Sequence, residues 1–199
     1  LNNQLIIEYY NSIMKNSRAL AWMGLIQYQS NDAVFTKYLN HKKRGSNQYK
    51  NNAPIHYQHL LFGNCCIHKS VLRTLRLNLD FAFYGGEELD FAYRVNIKYP
   101  NSLFMCSGAV VLRKNFPNFI KHCKRLEEYG RKNLINLSPA LQNQVIKYPF
   151  LLYQSVVIQG FAFIFYRLSL KIYKGPIMNY IIIRFGMLMA IIFGYQKSR

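Results

Sequence analysis

Apolar residues recur along this chain with two different spacings, which predict alternating helices and strands. Residues 5–14 place apolar side chains three to four positions apart, the spacing of one helix face. Residues 19–28 and 103–112 are short continuous apolar runs instead, which is typical of buried strands. This succession predicts a layered α/β domain.

Capping residues and prolines predict where the other elements begin and end. Asp32 is expected to cap a helix over residues 33–39, and Ser70 to cap a short helix that ends at Leu75. The remaining predictions, in chain order, are a surface loop at residues 41–52, a strand at 65–69, a helix at 87–98 ended by Pro100, and a helix that starts at Pro117 and includes Tyr129.

Two long apolar runs, residues 150–166 and 177–195, set the end of the chain apart. Each approaches the roughly 20 residues that span a bilayer, and basic residues flank both. They predict either a membrane-embedded hairpin or helices lying on an anionic membrane surface. Arg184 favours the second interpretation, because an Arg at a bilayer centre costs about 2.5–3.5 kcal/mol. A soluble helical appendage packed on the core is the remaining alternative.

The charge of the chain is strongly unbalanced. It has 26 basic and 8 acidic residues, a net charge of +18, and 51% hydrophobic residues, which argues against disorder. Such a charge predicts an anionic partner: nucleic acid, acidic lipid or a phosphorylated small molecule; a generic solubilising surface is the alternative. None of the four cysteines forms a C-x-x-C pair, so we interpret them as small buried hydrophobes in a reducing compartment.

Half of the acidic residues fall in one short segment around a Gly-Gly step, which suggests a catalytic site. Gly85 and Gly86 allow positive φ or the close approach of another molecule, and Glu87 and Glu88 follow at the start of the predicted helix. The helix dipole is expected to keep these carboxylates ionised, as a general base requires. An ordinary acidic first helical turn is the alternative. Further along that helix, Asp90 and Arg94 are spaced to form a supporting i,i+4 pair.

Two motifs of this region resemble the second half of family-two glycosyltransferases with the GT-A fold. The first is Phe62-Gly63-Asn64 and the strand after it; the second runs from Tyr84 through the Gly-Gly-Glu-Glu step to Arg94. The resemblance covers about residues 1–145. The same region is also similar to the C-terminal portion of galactosyl- and N-acetylgalactosaminyltransferases.

The resemblance implies inverting transfer of a sugar from a nucleotide-diphosphate donor to an acceptor hydroxyl of a glycan or glycolipid. By this similarity Glu88 is the catalytic base, and Glu87, Gly85, Gly86 and Asn64 bind the acceptor. The family also implies a divalent cation, Mn²⁺ or Mg²⁺, on the donor diphosphate.

The chain departs from the family pattern in three respects. Glu88 stands where the family usually has Asp, so its carboxylate lies one methylene further from the backbone. The metal-binding Asp-x-Asp does not occur in residues 1–199. Arg113 and Lys114 stand where a metal-binding His is often found; they are either partners for diphosphate charge or two basic residues at a strand end. We therefore expect the chain to be the acceptor half of a longer transferase, inactive by itself.

Other candidates carry less chemistry. His56 and His59 have the spacing of two metal ligands but lack a third in register. Asn64 alone signals a turn, and Trp22 and the tyrosines are sugar-stacking, buried or bilayer-interface residues.

The sequence as a whole predicts a partial GT-A (Rossmann-like) α/β domain at residues 1–145 and hydrophobic, basic, membrane-associated helices at residues 146–199. The expected partners are a nucleotide-diphosphate sugar, a glycan or glycolipid acceptor and an anionic membrane on its cytoplasmic side, with no nucleic acid. A third hypothesis is a degenerate transferase fragment with a structural role only, which the Glu in place of Asp at position 88 leaves open. The rival hypothesis is a non-catalytic basic module that binds nucleic acid or an anionic membrane. It leaves Glu87 and Glu88 unexplained, because carboxylates repel phosphate.

Overall fold

The chain forms a mixed α/β structure, and the computed structural model describes its residues 3–81, 83–173 and 180–198. Over these residues it has eight α-helices and one three-stranded sheet. The chain divides into two compact units. The first consists of Leu1–Asn78 with Glu87–Phe116, and the second of Leu79–Gly86 with Pro117–Arg199.

The sheet belongs to the first unit and contains the three predicted strands, although the strand predicted at residues 65–69 ends at Ile67, because His68 caps and Lys69 begins the next helix. Its central strand is β1 (Ala21–Tyr28), which pairs antiparallel with β2 (Cys65–Ile67) and parallel with β3 (Leu103–Arg113). The residues of β1 are mostly buried, because both sides of a central strand are covered. The β1–β3 register shifts between Gly24 and Leu25, which creates a bulge in β3.

Four helices complete the first unit: α1 (Asn3–Lys15), α2 (Ala33–Leu39), α3 (Lys69–Thr74) and α4 (Glu87–Lys98). Asp32 caps α2 as predicted, since its carboxylate accepts the Phe35 N–H at 3.0 Å. The predicted Ser70 cap of α3 is wrong. His68 is the N-cap, because its ring Nδ1 accepts a hydrogen bond from the Ser70 N–H at 3.3 Å. The predicted loop at residues 41–52 contains a short 3-10 helix, Gly45–Gln48.

The second unit is helical: α5 (Phe119–Lys132), α6 (Pro139–Val145), α7 (Val156–Tyr173) and α8 (Tyr180–Gln196). Asn118, not Pro117, stands at the start of α5, where its side chain accepts the Lys121 N–H. α5 and α8 pack closely through glycines. A Cβ on Gly130 would overlap the backbone of α8, and one on Gly194 the backbone of α5.

The first apolar run, residues 150–166, enters α7 at Val156, after the 3-10 helix Pro149–Leu152. Residues 180–195 of the second run lie in α8, and residues 177–179 lie outside the described residues. By length and composition, α7 is the one helix within the described residues that is long and apolar enough to cross a membrane, and 17% of it is buried. The shorter α8 buries Ile183, Ala190 and Phe193 within the unit. α8 therefore fits the alternative of a helix packed on a protein core, whereas α7 leaves most of its apolar surface uncovered.

The division into units differs from the predicted boundary between residues 145 and 146, which falls inside the second unit. α5 precedes that boundary and α8 follows it, yet the two pack together because their glycines allow a close approach. The assignment of an acceptor role to residues 1–145 and a membrane role to residues 146–199 stays a prediction.

Candidate functional site

Glu88 lies half-buried in the first turn of α4 and is fixed by a bond from a distant segment. The backbone N–H of Phe62 donates to Glu88 Oε1 at 2.8 Å. Phe62 begins the 3-10 turn Phe62–Asn64, which leads directly into β2. The two motifs that carry the glycosyltransferase resemblance thus meet at this bond.

The environment of Glu88 raises the pKa of its carboxyl group. Burial is the main cause, and the negative charge of Glu87 adds to it. The hydrogen bond from Phe62 and the positive charge of Arg113 act in the opposite direction without cancelling the rise. The raised pKa is contrary to the expectation from the helix dipole alone, because the sequence does not reveal how far the side chain is removed from water.

Glu87 offers a buried acceptor atom. Its Oε2 is shielded from solvent and has no hydrogen-bond partner within the part of the chain that the structure describes. A buried oxygen of this kind is costly unless a donor reaches it. A hydroxyl of a bound molecule is one group that could supply the missing bond.

Asp90 and Arg94 form the predicted ion pair. Arg94 Nη2 lies 2.8 Å from Asp90 Oδ2, and Nε donates to the same oxygen at 2.9 Å. The guanidinium also lies over the Phe91 ring, 5.9 Å from its centroid. Arg94 is thus held by the neighbouring carboxylate, and the charge that faces Glu88 is that of Arg113 instead.

Asn64 holds the bulge of the sheet together. Its Nδ2 donates to the backbone oxygens of Leu25 and Ala109, both at 2.8 Å, at the point where the register shifts. Gly24 makes room for this amide, because a Cβ there would overlap it. The sequence suggests a turn or an acceptor contact for Asn64. Its buried hydrogen bonds give it a structural role, and the acceptor contact stays a prediction.

Tyr9 completes the Asn64 network from α1. The Tyr9 hydroxyl donates to Asn64 Oδ1 at 2.8 Å. Burial raises the pKa of Tyr9 far above its ordinary range, and nearby Cys65 adds to the rise. Burial and the charge of Glu88 likewise raise the pKa of Cys65 to about 11. Both groups therefore stay protonated, and Tyr9 remains a hydrogen-bond donor to Asn64.

Gly85 and Gly86 belong to the second unit, where they form a turn with positive φ. Their φ angles are 85° and 102°, the region that favours glycine. Asn133 Nδ2 donates to the backbone oxygens of Phe83 at 2.7 Å and Gly85 at 2.6 Å. Side chains at the two glycines would meet the Tyr129 and Phe81 rings. The positive φ is confirmed, and the acceptor contact stays a prediction.

Burial decides between the alternatives stated above for Trp22 and tests the prediction for the four cysteines. Trp22 is 2% exposed and packs in the core with Ala19, Cys106 and Ala109, so it is not a sugar-stacking surface. Cys106 and Cys123 are buried as predicted, while Cys65 and Cys66 are half-buried, and all four thiols are free.

The His, Cys, Asp and Glu side chains of the described residues do not form a metal site. The ring centroids of His56 and His59 are 6.4 Å apart. Among residues 3–81, 83–173 and 180–198, no three His, Cys, Asp or Glu side chains form a group that could hold a metal ion. The described residues therefore do not fit the divalent cation that the glycosyltransferase resemblance implies.

Sequence reasoning misses two groups that act on Glu88. The Phe62 N–H is a backbone donor and leaves no mark in the sequence, apart from the adjacent Gly63-Asn64 step. The sequence suggests Arg113 as a partner for diphosphate or as a basic residue at a strand end. In the structure Arg113 lies at the end of β3, and its charge partly offsets the rise in the pKa of Glu88. No family model, curated protein or solved structure matches this chain.

Proposed function

We propose that this chain is the acceptor-side part of an inverting glycosyltransferase with a GT-A-like fold, and that Glu88 is its general base. The observation that supports this most is the fixed, half-buried Glu88 carboxylate, bound by the Phe62 N–H at 2.8 Å. A general base needs a defined position and a pKa closer to neutrality than that of a free carboxylate. The raised pKa of Glu88 acts in that direction.

In the proposed reaction Glu88 takes the proton of an acceptor hydroxyl. The hydroxyl oxygen forms a bond to the anomeric carbon of the donor sugar, while the bond from that carbon to the diphosphate oxygen breaks. The diphosphate leaves with the electron pair. Because attack is opposite to the leaving group, the configuration at the anomeric carbon inverts. Each bond made or broken belongs to the acceptor or the donor, and Glu88 carries only the proton.

Glu87 is proposed to orient the acceptor. Its buried Oε2 has no partner among the described residues, so a second hydroxyl of a sugar acceptor could donate to it. Such a bond would hold the reacting hydroxyl at a fixed place beside the base. Gly85, Gly86 and Asn64 are the other proposed acceptor residues. The buried bonds of Asn64 favour an indirect contribution, through the turn that carries Phe62.

The donor is proposed to be a nucleotide-diphosphate sugar and the acceptor a glycan or glycolipid at the cytoplasmic side of a membrane. The described part of the chain lacks a donor set for Mn²⁺ or Mg²⁺, so no step of this mechanism is assigned to a metal. The membrane part of the proposal is supported by α7, which is long, apolar and mostly exposed.

The test is a transfer assay on protein expressed from its complete coding sequence. Nucleotide-diphosphate galactose and N-acetylgalactosamine serve as donors, and release of nucleoside diphosphate with a panel of glycan acceptors is measured. Acceptor-dependent release that Glu88→Gln abolishes would support the proposal. The rival hypothesis is favoured instead by a salt-sensitive gel shift on nucleic acid at nanomolar protein, together with an inert Glu88→Gln change.

A further inference from the structure

The second unit contains an open groove of about 1030 Å³, lined by residues of α5, α7 and α8. We call it the helical groove. Its volume is that of a site for a ligand rather than for a single ion. Its lining combines apolar and basic side chains, so the groove is amphipathic.

Four cations line the helical groove: Lys124 from α5, Arg167 and Lys171 from α7, and Lys197. Glu127 is its one carboxylate, and its Oε1 is already 3.3 Å from the Lys197 Nζ. Lys124, Arg167 and Lys171 form no ion pair with a carboxylate in the described ranges 3–81, 83–173 and 180–198. The groove therefore has an excess of positive charge that an anion can neutralise.

Apolar residues that line the groove are exposed to solvent. Phe163, Ile164 and Leu168 of α7 are 44%, 60% and 45% exposed, and all three line the groove. They continue onto an outer face of α7 that includes Val157 and Phe161, at 66% and 59%. A contiguous apolar surface of this kind marks a contact with lipid or another apolar partner.

We propose that the helical groove binds one anionic phospholipid of a membrane surface. Arg167, Lys171 and Lys124 would receive the headgroup phosphate, with the Arg167 guanidinium able to donate two parallel hydrogen bonds. An acyl chain would lie along Ile164 and Leu168. The inference rests on the membrane part of the proposed function and not on the chemistry of Glu88.

The aliphatic residues distinguish this ligand from other anions. A free phosphate needs the cations but gains nothing from Ile164 and Leu168. Nucleic acid would use the cations and stack bases on an aromatic ring such as Phe163, but it would leave the exposed aliphatic Ile164 and Leu168 without an apolar partner. A phospholipid uses both parts of the groove, and long basic side chains beside an apolar helix face are suited to the boundary between headgroups and acyl chains.

The experiment measures sedimentation of the protein with phosphatidylcholine vesicles that contain or lack phosphatidylglycerol. The double variant Arg167→Gln/Lys171→Gln is expected to lose affinity for the anionic vesicles by about thirtyfold. The control Lys37→Gln/Lys50→Gln removes the same charge from exposed positions of the first unit and is expected to change affinity less than about threefold. Ile164→Ser is expected to weaken vesicle binding, with an unchanged thermal unfolding midpoint in all variants.

Equal losses in the two double variants would contradict a defined site and indicate attraction by total charge. Competition by millimolar inorganic phosphate without any effect of Ile164→Ser would indicate a free-phosphate site instead. Binding that high salt does not reverse and no variant weakens would indicate inserted helices, and would also overturn the proposal. Glu88→Gln should leave vesicle binding intact, so failure of the lipid site and failure of the transferase proposal are distinguishable.

Discussion

The Phe62 N–H donates to Glu88 Oε1 at 2.8 Å, across 26 positions of the sequence. The carboxylate is thereby fixed both by its own helix and by the turn before β2. That turn is itself anchored, because Asn64 at its end is bonded to the bulge between β1 and β3. Oε1 of Glu88 thus accepts a structural hydrogen bond, and Oε2 is the oxygen proposed to take the proton.

The proposed role of Glu88 predicts a definite pH dependence. A base acts when it is deprotonated, so the transfer rate should rise with pH through the pKa of Glu88 and then reach a plateau. Because burial raises that pKa, the midpoint should lie above the ordinary glutamic acid value of about 4.3. Values of kcat/KM measured across the acidic range test this, and a midpoint at or below the ordinary value would contradict the proposed environment.

Arg113 provides an independent check on the same pKa. Its positive charge favours the ionised form of Glu88, so Arg113→Gln should move the midpoint to higher pH. Lys114→Gln removes an equal charge from the next residue and is the matched control. Equal shifts in the two variants would indicate a general charge effect rather than a local one.

Glu88 should also make stability depend on pH. Its pKa is raised in the folded chain, so the folded protein holds this proton more tightly than the unfolded chain does. The resulting stabilisation is present below about pH 4.3 and is lost as pH rises through the folded-state pKa. Urea unfolding at several pH values should show this loss in the native chain and not in Glu88→Gln. Glu128→Gln, which should preserve the loss, is the control.

Asn64 is expected to be important for stability. Asn64→Ala would leave the backbone oxygens of Leu25 and Ala109 and the Tyr9 hydroxyl without their partner. Each buried group left unsatisfied costs about 1–3 kcal/mol, so the free energy of unfolding should fall by roughly 3 kcal/mol or more. Chemical denaturation measures this. Asn143→Ala, at an exposed position of α6, should stay within about 0.5 kcal/mol.

The Gly-Gly turn should not tolerate side chains. Gly85→Ala and Gly86→Ala would place a Cβ at positive φ, which costs roughly 1–2 kcal/mol, and the Gly86 Cβ would lie 2.9 Å from a Phe81 ring carbon. Gly160 has open space around it in α7, so Gly160→Ala should stabilise the helix by about 0.5–1 kcal/mol. Thermal unfolding compares the three variants. A neutral Gly86→Ala would contradict the described turn.

Much of the fold follows from local patterns in the sequence. Apolar spacing predicts α1, continuous apolar runs predict β1 and β3, and the Gly-Gly step and Pro100 bound α4. Asp32 is a cap because its short side chain reaches the helix N–H groups. The predicted cap of α3 fails because a histidine ring nitrogen takes the place usually held by a hydroxyl or carboxylate.

The features that depend on long-range contact are not predictable from local patterns. The bulge in β3, the facing Gly24 and the Asn64 amide lie far apart in the sequence and leave no periodic signal. The raised pKa of Glu88 results from burial, which no local pattern encodes. Composition groups the two apolar runs together, whereas packing distinguishes them. α8 packs Gly194 against α5 and Gly186 against α7, whereas only 17% of α7 is buried.

The most direct test of the proposed function is acceptor-dependent sugar transfer by Glu88→Gln, with Glu128→Gln as the charge-matched control. Glutamine preserves an oxygen for the Phe62 N–H but cannot take a proton, so kcat should fall by about 10²–10⁴-fold while the control stays near the native rate. A Glu88→Gln protein that transfers sugar within about threefold of the native rate would contradict the role of Glu88 as the base.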